Sequence, residues 1–274
     1  GNLEDMTFRA IRILQEVDLI AAEDTRNSIK LLNHFEIHTP MTSYHEYNKY
    51  DKGRELVQKL LAGTNIALIT DAGTPGISDP GEELVKMAYE AGIEVTSLPG
   101  ACACVTALTL SGLSTRRFVF EAFLPPDKKE HKLALERAEK RDADDDRIRG
   151  AASSAETLRE LLETLGNRRL TLCRELTKKH ETAWQTTIED AITRYEQEDP
   201  KGECVLVIEG RSQKEIEDEA KAAFEEISIE EHMKRYEDQG IARKEAMKLV
   251  AKDRGVTKRD IYQYLLGKES YNDF

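Results

Sequence analysis

Apolar positions over the first 110 residues follow two alternating rhythms. From Met6 to Val17, Phe8, Ile11, Ile13, Leu14 and Val17 fall at helix-compatible spacing, and Asp18–Glu23 then reads as a short apolar strand. The cycle repeats with a helix over Asn27–Phe35, a strand over Thr39–Tyr44, a helix over Asp51–Leu61 and a strand over Asn65–Thr70. A further helix at Glu82–Ala91, a strand at Ile93–Leu98 and a helix at Ala101–Leu110 complete the run. Strands that alternate with helices of this length predict a parallel α/β sheet.

The rhythm breaks between Ser111 and Pro126, where Gly, Ser, Arg and Pro-Pro surround Phe118-Val119-Phe120. A second α/β segment follows, with helices expected at Lys128–Arg141 and Ala155–Leu165 and strands at Arg169–Cys173 and Glu203–Ile208. The acidic stretch Asp142–Asp146 and the poor strand material of Arg147–Ala152 interrupt it. From about Ile227 the pattern is wholly helical. Two short helices flank the turn at Gly255, with Thr257 as N-cap, in a helix-turn-helix-like arrangement. The expected organisation is therefore 1–116, 117–222 and 223–274: two α/β domains and a small C-terminal helical extension.

Charge sharpens this division. The 274-residue chain carries a formal charge of −12, which argues against a generic nucleic-acid coat. Yet His232–Lys268 holds ten Lys/Arg against five acids, about +5, leaving about −17 for the remainder. A basic extension on an acidic body fits a module that touches a polyanion; a merely solvated helical face is the bland alternative. No apolar run approaches a membrane span, and the start, Gly1-Asn2-Leu3 without an initiator methionine, is not signal-like. The four cysteines (102, 104, 173 and 204) form no Cys-x-x-Cys pair, and no zinc site is expected. A reducing, cytoplasmic setting is the simplest account.

The richest local signal is Asp71-Ala72-Gly73-Thr74-Pro75-Gly76-Ile77-Ser78-Asp79-Pro80-Gly81, between an expected strand and an expected helix. Its glycines permit positive φ and close backbone approach to a ligand, while its prolines stiffen the turns. An acid at the carboxyl end of a strand is where open α/β sheets bind ligands. Four other stretches have related placement: Gly1–Thr7, Ala22–Arg26, Leu98–Ala101 and Arg174–Lys178.

Taken together, these stretches resemble a known family. Gly-Asn-Leu-Glu-Asp-Met-Thr (1–7), Ala-Ala-Glu-Asp-Thr-Arg (21–26), Ser-Tyr-His-Glu (43–46), the 71–81 run, Leu-Pro-Gly-Ala (98–101), Phe-Leu-Pro (123–125), Arg-Glu-Leu-Thr-Lys (174–178) and Gly-Glu (202–203) are similar to the bacterial ribosomal RNA small-subunit methyltransferase I family. The resemblance runs in order to about Leu266. It implies a tetrapyrrole-methylase-type fold, with S-adenosylmethionine (SAM) in a cleft between two α/β domains, usually as a homodimer. It also implies 2′-O-methylation of a cytidine ribose in small-subunit (16S) ribosomal RNA, without a metal. In that family a strand ending in Thr-Pro-Ile precedes Gly1, and an aromatic-Glu-Ser/Ala-Pro-His-Arg motif stands where this chain has Asp146–Ala155.

On this reading Asp71, Ala72, Gly73, Thr74 and Pro75 hold the cofactor, with Pro99, Gly100, Ala101 and Thr106 along the adjacent wall. Methyl transfer from a sulfonium is an in-line displacement, in which positioning supplies most of the rate and a base assists the weakly nucleophilic 2′-hydroxyl. Candidates at the cleft mouth are Glu23, Asp24, His45, Asp79, Glu175 and Lys178; only His45 has an ordinary pKa near neutrality. Arg26 and Lys178 are expected to hold phosphate, as are Arg243, Lys244, Lys258 and Arg259 in the extension. The alternatives are methylation of a small tetrapyrrole substrate, or RNA binding without catalysis.

Overall fold

The structure is a computed structural model that describes residues 1–123, 125, 127, 129–130, 133, 146–152, 155–198, 203–211, 215, 221–224 and 226–269, with the side chains of 146–152, 203 and 267–269 excepted. The expected helix at 128–141, Leu124 and Gly202 therefore lie wholly or largely outside the described residues. The chain divides into a larger compact unit, Gly1–Lys140 with Asp145–Glu209, and a smaller one that includes Gly210–Phe274.

The larger unit holds two sheets. In the first, β1 (Leu19–Ala22) lies between β2 (Met41–Ser43) and β3 (Ile66–Ile69), and both pairings are parallel. Successive side chains of a strand face opposite ways, so β1 serves two cores. Ile20 packs with Leu14, Leu32 and Ile37 from α1 (Phe8–Glu16), α2 (Thr25–His34) and the turn after α2. Ala21 packs with Tyr44, Leu56, Val57 and Leu84, where α3 (Lys49–Leu61) and α4 (Gly81–Glu90) cover the other face. Helices on both faces make this a doubly wound sheet with its loops at the strand ends.

The second sheet has order β4 (Phe118–Glu121), β5 (Asp146–Ala152), β8 (Glu203–Ile208), β6 (Arg169–Arg174), β7 (Thr182–Thr187). Only β4 and β5 run parallel; the other neighbours are antiparallel. On one face Leu170, Leu172, Leu206 and Ile208 pack with Leu158 and Leu161 of α6 (Ala155–Leu165) and Ile188 of α7 (Ile188–Gln197). On the other, Cys173 and Val207 meet Ala107 and Leu108 of α5 (Ala103–Ser111). Gly112 closes α5 in the left-handed conformation, and the Ser111 carbonyl accepts from Gln185 Nε2 (3.0 Å) and Thr171 Oγ1 (3.3 Å). The helix that begins beside the 98–101 turn is thus anchored on the second sheet.

Three sequence expectations need correction. Ile93–Leu98 alternates half-buried and exposed positions only as far as Thr96, and pairs with no strand among the described residues. One-sided burial creates that pattern without a ladder. Arg147–Ala152, read as poor strand material, lies within β5, where β4 and β8 supply a ladder on both sides; sheet context overrides weak β-propensity. β7 and α7 were not foreseen; in β7 only Ala183 and Trp184 of Thr182–Thr187 are apolar, and the strand sits at a sheet edge.

The C-terminal unit contains α8 (Ile229–Glu237), α9 (Arg243–Asp253) and α10 (Lys258–Glu269), closed over Met233, Ala246, Val250, Ala251 and Ile261. Ser228 and Glu231 form a reciprocal capping box at the start of α8. His232 is buried, stacked between Phe224 (centroids 4.2 Å apart) and Tyr236 (5.6 Å). Arg254 Nε donates to His232 Nδ1 at 3.3 Å, which leaves the ring proton on Nε2, 3.3 Å from Asp253 Oδ2.

Burial, with Arg254 and Arg235 adding to it and Asp253 opposing, pushes the imidazole below its ordinary value. A depressed histidine contributes stability in full above its unfolded pKa of about 6.5, and that stability is lost progressively as pH falls below it. Amide hydrogen exchange, corrected for intrinsic rate, should show α8 and α9 opening more readily as pH drops from 7 to 5. His232→Phe should flatten that dependence; an unchanged dependence in the variant would place its origin elsewhere.

Candidate functional site

The carboxyl ends of β1 and β3 lie side by side and carry the acids expected there. Glu23 Oε2 accepts from Thr70 Oγ1 at 2.5 Å and from the Asp71 backbone N at 3.3 Å. Asn27 Nδ2 donates to Asp71 Oδ2 at 3.2 Å. These bonds bring 23–27 and 70–71 into one polar cluster, with Asp71, Ala72 and Gly73 exposed. Thr70 and Asn27 were missed in the sequence. Asn27 sits one turn into a helix that starts at a strand end, which is the signal that was available.

Asp24 does something different. Its carboxylate caps α2 by accepting from Arg26 N (2.8 Å), and it takes a bidentate bond from the same side chain, Nε at 3.1 Å and Nη2 at 2.9 Å. Hydrogen bonds from Arg26 hold the carboxyl down at about 2. A carboxylate so committed is a weak proton acceptor, so the expectation of Asp24 as a base candidate is corrected here. Arg26 remains 88% exposed and available to an anion. Because the folded pKa is depressed, this pairing is in place above the usual carboxylate range and is lost as pH falls toward 2. An NMR titration should place the Asp24 midpoint near 2, and Arg26→Ala should return it toward the ordinary value of about 3.9. A midpoint near 3.9 in the unaltered chain would contradict the pairing.

The 71–81 loop is held by two devices. Thr74 donates from both its N (2.9 Å) and its Oγ1 (3.0 Å) to the Ala101 carbonyl, which ties the loop to the Leu98–Ala101 turn. Gly73 has φ of +77°, and a Cβ there would sit 3.1 Å from Ala101 O. Further on, Asp79 receives Gly76 N (2.8 Å) and Gly81 N (2.7 Å), one on each carboxylate oxygen. Asp79 is therefore the loop's internal brace, and the expectation of it as a base candidate is corrected. Tyr44 Oη, buried, adds a bond to the Pro80 carbonyl at 2.9 Å. Gly73, Thr74, Pro75, Pro99, Gly100 and Ala101 thus share one margin of the first sheet. Thr106 stands one turn into α5, its hydroxyl donating to the carbonyl of Cys102, the residue after Ala101, at 3.0 Å.

The loop after β6 makes a tight turn. Glu175 and Thr177 have positive φ, 50° and 65°, and such non-glycine positions are strained and concentrate at ligand-binding loops. Lys178 Nζ meets Glu175 Oε1 at 3.0 Å, both side chains about half exposed. Thr177, Lys178 and Lys179 line a cavity of about 480 Å³ together with Gly1–Glu4 and His34. The structure therefore brings the first residues together with the 174–178 loop.

His45 follows β2. Asn48 Oδ1 accepts from its backbone N at 2.8 Å, while Nδ1 is buried with no hydrogen-bond partner among the described residues. The neighbouring Tyr47 ring, missed in the sequence, is 97% exposed. Arg243, Lys244 and Arg259 are exposed and Lys258 is half-buried, all in the C-terminal unit. Among the described residues no group of three or more side chains is arranged to hold a metal, and no helix is long and apolar enough to cross a membrane.

These arrangements have counterparts in known proteins. The chain matches the Tetrapyrrole (Corrin/Porphyrin) Methylases over residues 1–192. It is 48% identical over 262 residues to a Ribosomal RNA small subunit methyltransferase I of Halalkalibacterium halodurans, covering 96% of this chain and 90% of that one. A protein of the same description from Synechocystis is 44% identical over 271 residues, covering 98% and 95%. The chain belongs to the ribosomal RNA small subunit methyltransferase I family. Its architecture is shared with the solved methyltransferase CobJ (TM-score 0.59, 16% identity, 77% of this chain and 90% of that one) and with diphthine synthase (TM-score 0.57, 10% identity, 76% and 86%). The fold is thus of tetrapyrrole-methylase type with C-terminal helices added.

Proposed function

We propose that the chain methylates the ribose 2′-hydroxyl of a cytidine in small-subunit (16S) ribosomal RNA, using SAM. What carries the reading is near full-length similarity to relatives named for methylating that RNA, with the strand-end cluster in support. The cradle fits a nucleoside-bearing cofactor. Gly73 leaves open the space that a Cβ would take beside Ala101 O, and Asp71 presents an exposed carboxylate for hydroxyls. In this reading Asp71, Ala72, Gly73, Thr74 and Pro75 hold SAM, with Pro99, Gly100 and Ala101 along its edge. When bound, SAM supplies an electrophilic methyl on a sulfonium.

The remaining residues orient the acceptor. Arg26 and the Lys178–Lys179 pair contact phosphate, and Tyr47 offers a ring on which an unpaired base stacks. Glu23 fixes the Asp71 backbone through Oε2. Lys178, paired with Glu175, positions rather than abstracts in this reading. His45 is the base in this reading: its buried, unpartnered Nδ1 is a polar atom that a bound group would satisfy. Arg243, Lys244, Lys258 and Arg259 add sequence-independent phosphate contacts and a steep salt dependence. A homodimer acting in the cytoplasm, where ribosomal subunits are found, completes the proposal.

The test offers methyl-labelled SAM with small ribosomal subunits in one reaction and a reduced porphyrin in another. Label in the ribosomal RNA is expected. Label in the tetrapyrrole would favour the small-molecule reading, and none in either would favour RNA binding without catalysis.

A further inference from the structure

Cys102 and Cys104 flank one residue at the start of α5, and their sulfurs lie 3.3 Å apart, both part-buried. Ala103 is helical, so its neighbours' Cα atoms stand about 5.4 Å apart by helix geometry, inside the 4.4–6.8 Å range of bridged cysteines. Cys102 itself is extended, with φ of −140° and ψ of 112°. That conformation turns its side chain toward Cys104 instead of to the opposite side of the helix. The other two cysteines, Cys173 and Cys204, are buried in the second sheet. Cys104 also packs against the cluster of Ala107, Leu108, Cys173 and Val207, but the proposed methyl transfer uses neither thiol.

We propose that Cys102 and Cys104 form a site of reversible oxidative modification, at which hydrogen peroxide closes a disulfide across Ala103. The Cys102 thiolate attacks a peroxide oxygen, the O–O bond breaks, and hydroxide leaves to give a sulfenic acid. The Cys104 sulfur then displaces that hydroxyl as water, forming the S–S bond and releasing its own proton. Two thiols are oxidised, one peroxide is reduced, and two waters result once the hydroxide takes up a proton. Burial pushes the Cys104 thiol up to about 11, which disfavours it as the sulfur that meets peroxide first and leaves it the second, resolving role. Closing the bridge needs the sulfurs to approach to about 2.05 Å, a movement of little more than an ångström.

The site is adjacent to the cofactor margin. Ala101, whose carbonyl takes both Thr74 bonds, immediately precedes Cys102, and the Cys102 carbonyl accepts Thr106 N and Oγ1, each at 3.0 Å. Fixing residues 102–104 in a ring therefore moves the acceptor that holds the 71–81 loop. This consequence, a weaker grip on SAM in the oxidised form, rests on the proposed function.

The experiment treats the full chain with hydrogen peroxide, alkylates remaining thiols and maps tryptic peptides by mass. Residues 87–116 form one peptide that contains both cysteines and neither of the others. It should become two hydrogens lighter and resist alkylation, and a thiol reductant should restore it. In Cys104→Ser the sulfenic acid on Cys102 has no resolving partner and should be trapped by dimedone. Continued alkylation of both cysteines, a cross-link from this peptide to Cys173 or Cys204, or oxidation that reductant does not reverse would each overturn the proposal. Calorimetry on the same samples should show SAM affinity several-fold lower after oxidation and recovered on reduction. Equal affinity in the two forms would overturn the link to the loop, whereas no SAM binding by the reduced chain would count against the proposed function alone.

Discussion

Replacing Gly73 with valine is expected to lower SAM affinity by at least about tenfold while leaving the fold intact. Two costs combine. A β-branched residue at φ of +77° is strained by roughly 1–3 kcal/mol, and its Cβ falls 3.1 Å from the Ala101 carbonyl oxygen. That oxygen already holds both Thr74 bonds, so it cannot retreat without loosening the loop. A loss of about 1.4 kcal/mol is tenfold in a dissociation constant, and the strain alone is of this size. Calorimetry measures the affinity and circular dichroism the fold. Thr74→Val, which removes only the hydroxyl bond, should weaken binding less. Unchanged affinity in Gly73→Val would remove the 71–75 stretch from the cofactor site.

The second large effect is expected at Asp79. Asp79→Ala removes the acceptor for Gly76 N and Gly81 N at once, and hydrogen bonds to a charged group contribute roughly 1.5–3 kcal/mol each. A net destabilisation of about 2–4 kcal/mol should appear in urea unfolding followed by circular dichroism. Asn at this position keeps one good oxygen acceptor, so Asp79→Asn should fall between the two. Repacking around the truncated side chain is obstructed, because Gly81 has no room to shift: even a Cβ there would meet Leu68 Cδ2 at 2.8 Å. If Asp79→Ala unfolds within about 0.5 kcal/mol of the unaltered chain, Asp79 is not the brace described here.

What could be read from the chain depended on the range of the interaction. β1, β3 and the helices between them were legible because each carries its own periodicity, and Ile20 and Ala21 face different cores as a period of two requires. β5 was not, since Asp146–Ala152 owes its state to β4 and β8, which lie far away in sequence. At the site the residue types at strand ends were legible from the strand–loop–helix pattern. Their division of labour was not. Asp24 and Asp79 read as chemical acids, whereas one caps α2 and pairs with Arg26 and the other braces backbone amides. The ties Thr74–Ala101 and Tyr44–Pro80 span 27 and 36 residues, beyond the reach of any local pattern.

The most direct test of the central claim uses the chemistry of the product. Alkali cleaves RNA through attack of a free 2′-hydroxyl on the adjacent phosphate, so a 2′-O-methylated linkage survives. Small ribosomal subunits methylated by the chain with methyl-labelled SAM should yield, after complete alkaline hydrolysis, label only in a resistant dinucleotide that begins with cytidine. Label in mononucleotides would mean that a base was methylated and would contradict ribose methylation; label in a dinucleotide led by another nucleoside would contradict the cytidine assignment.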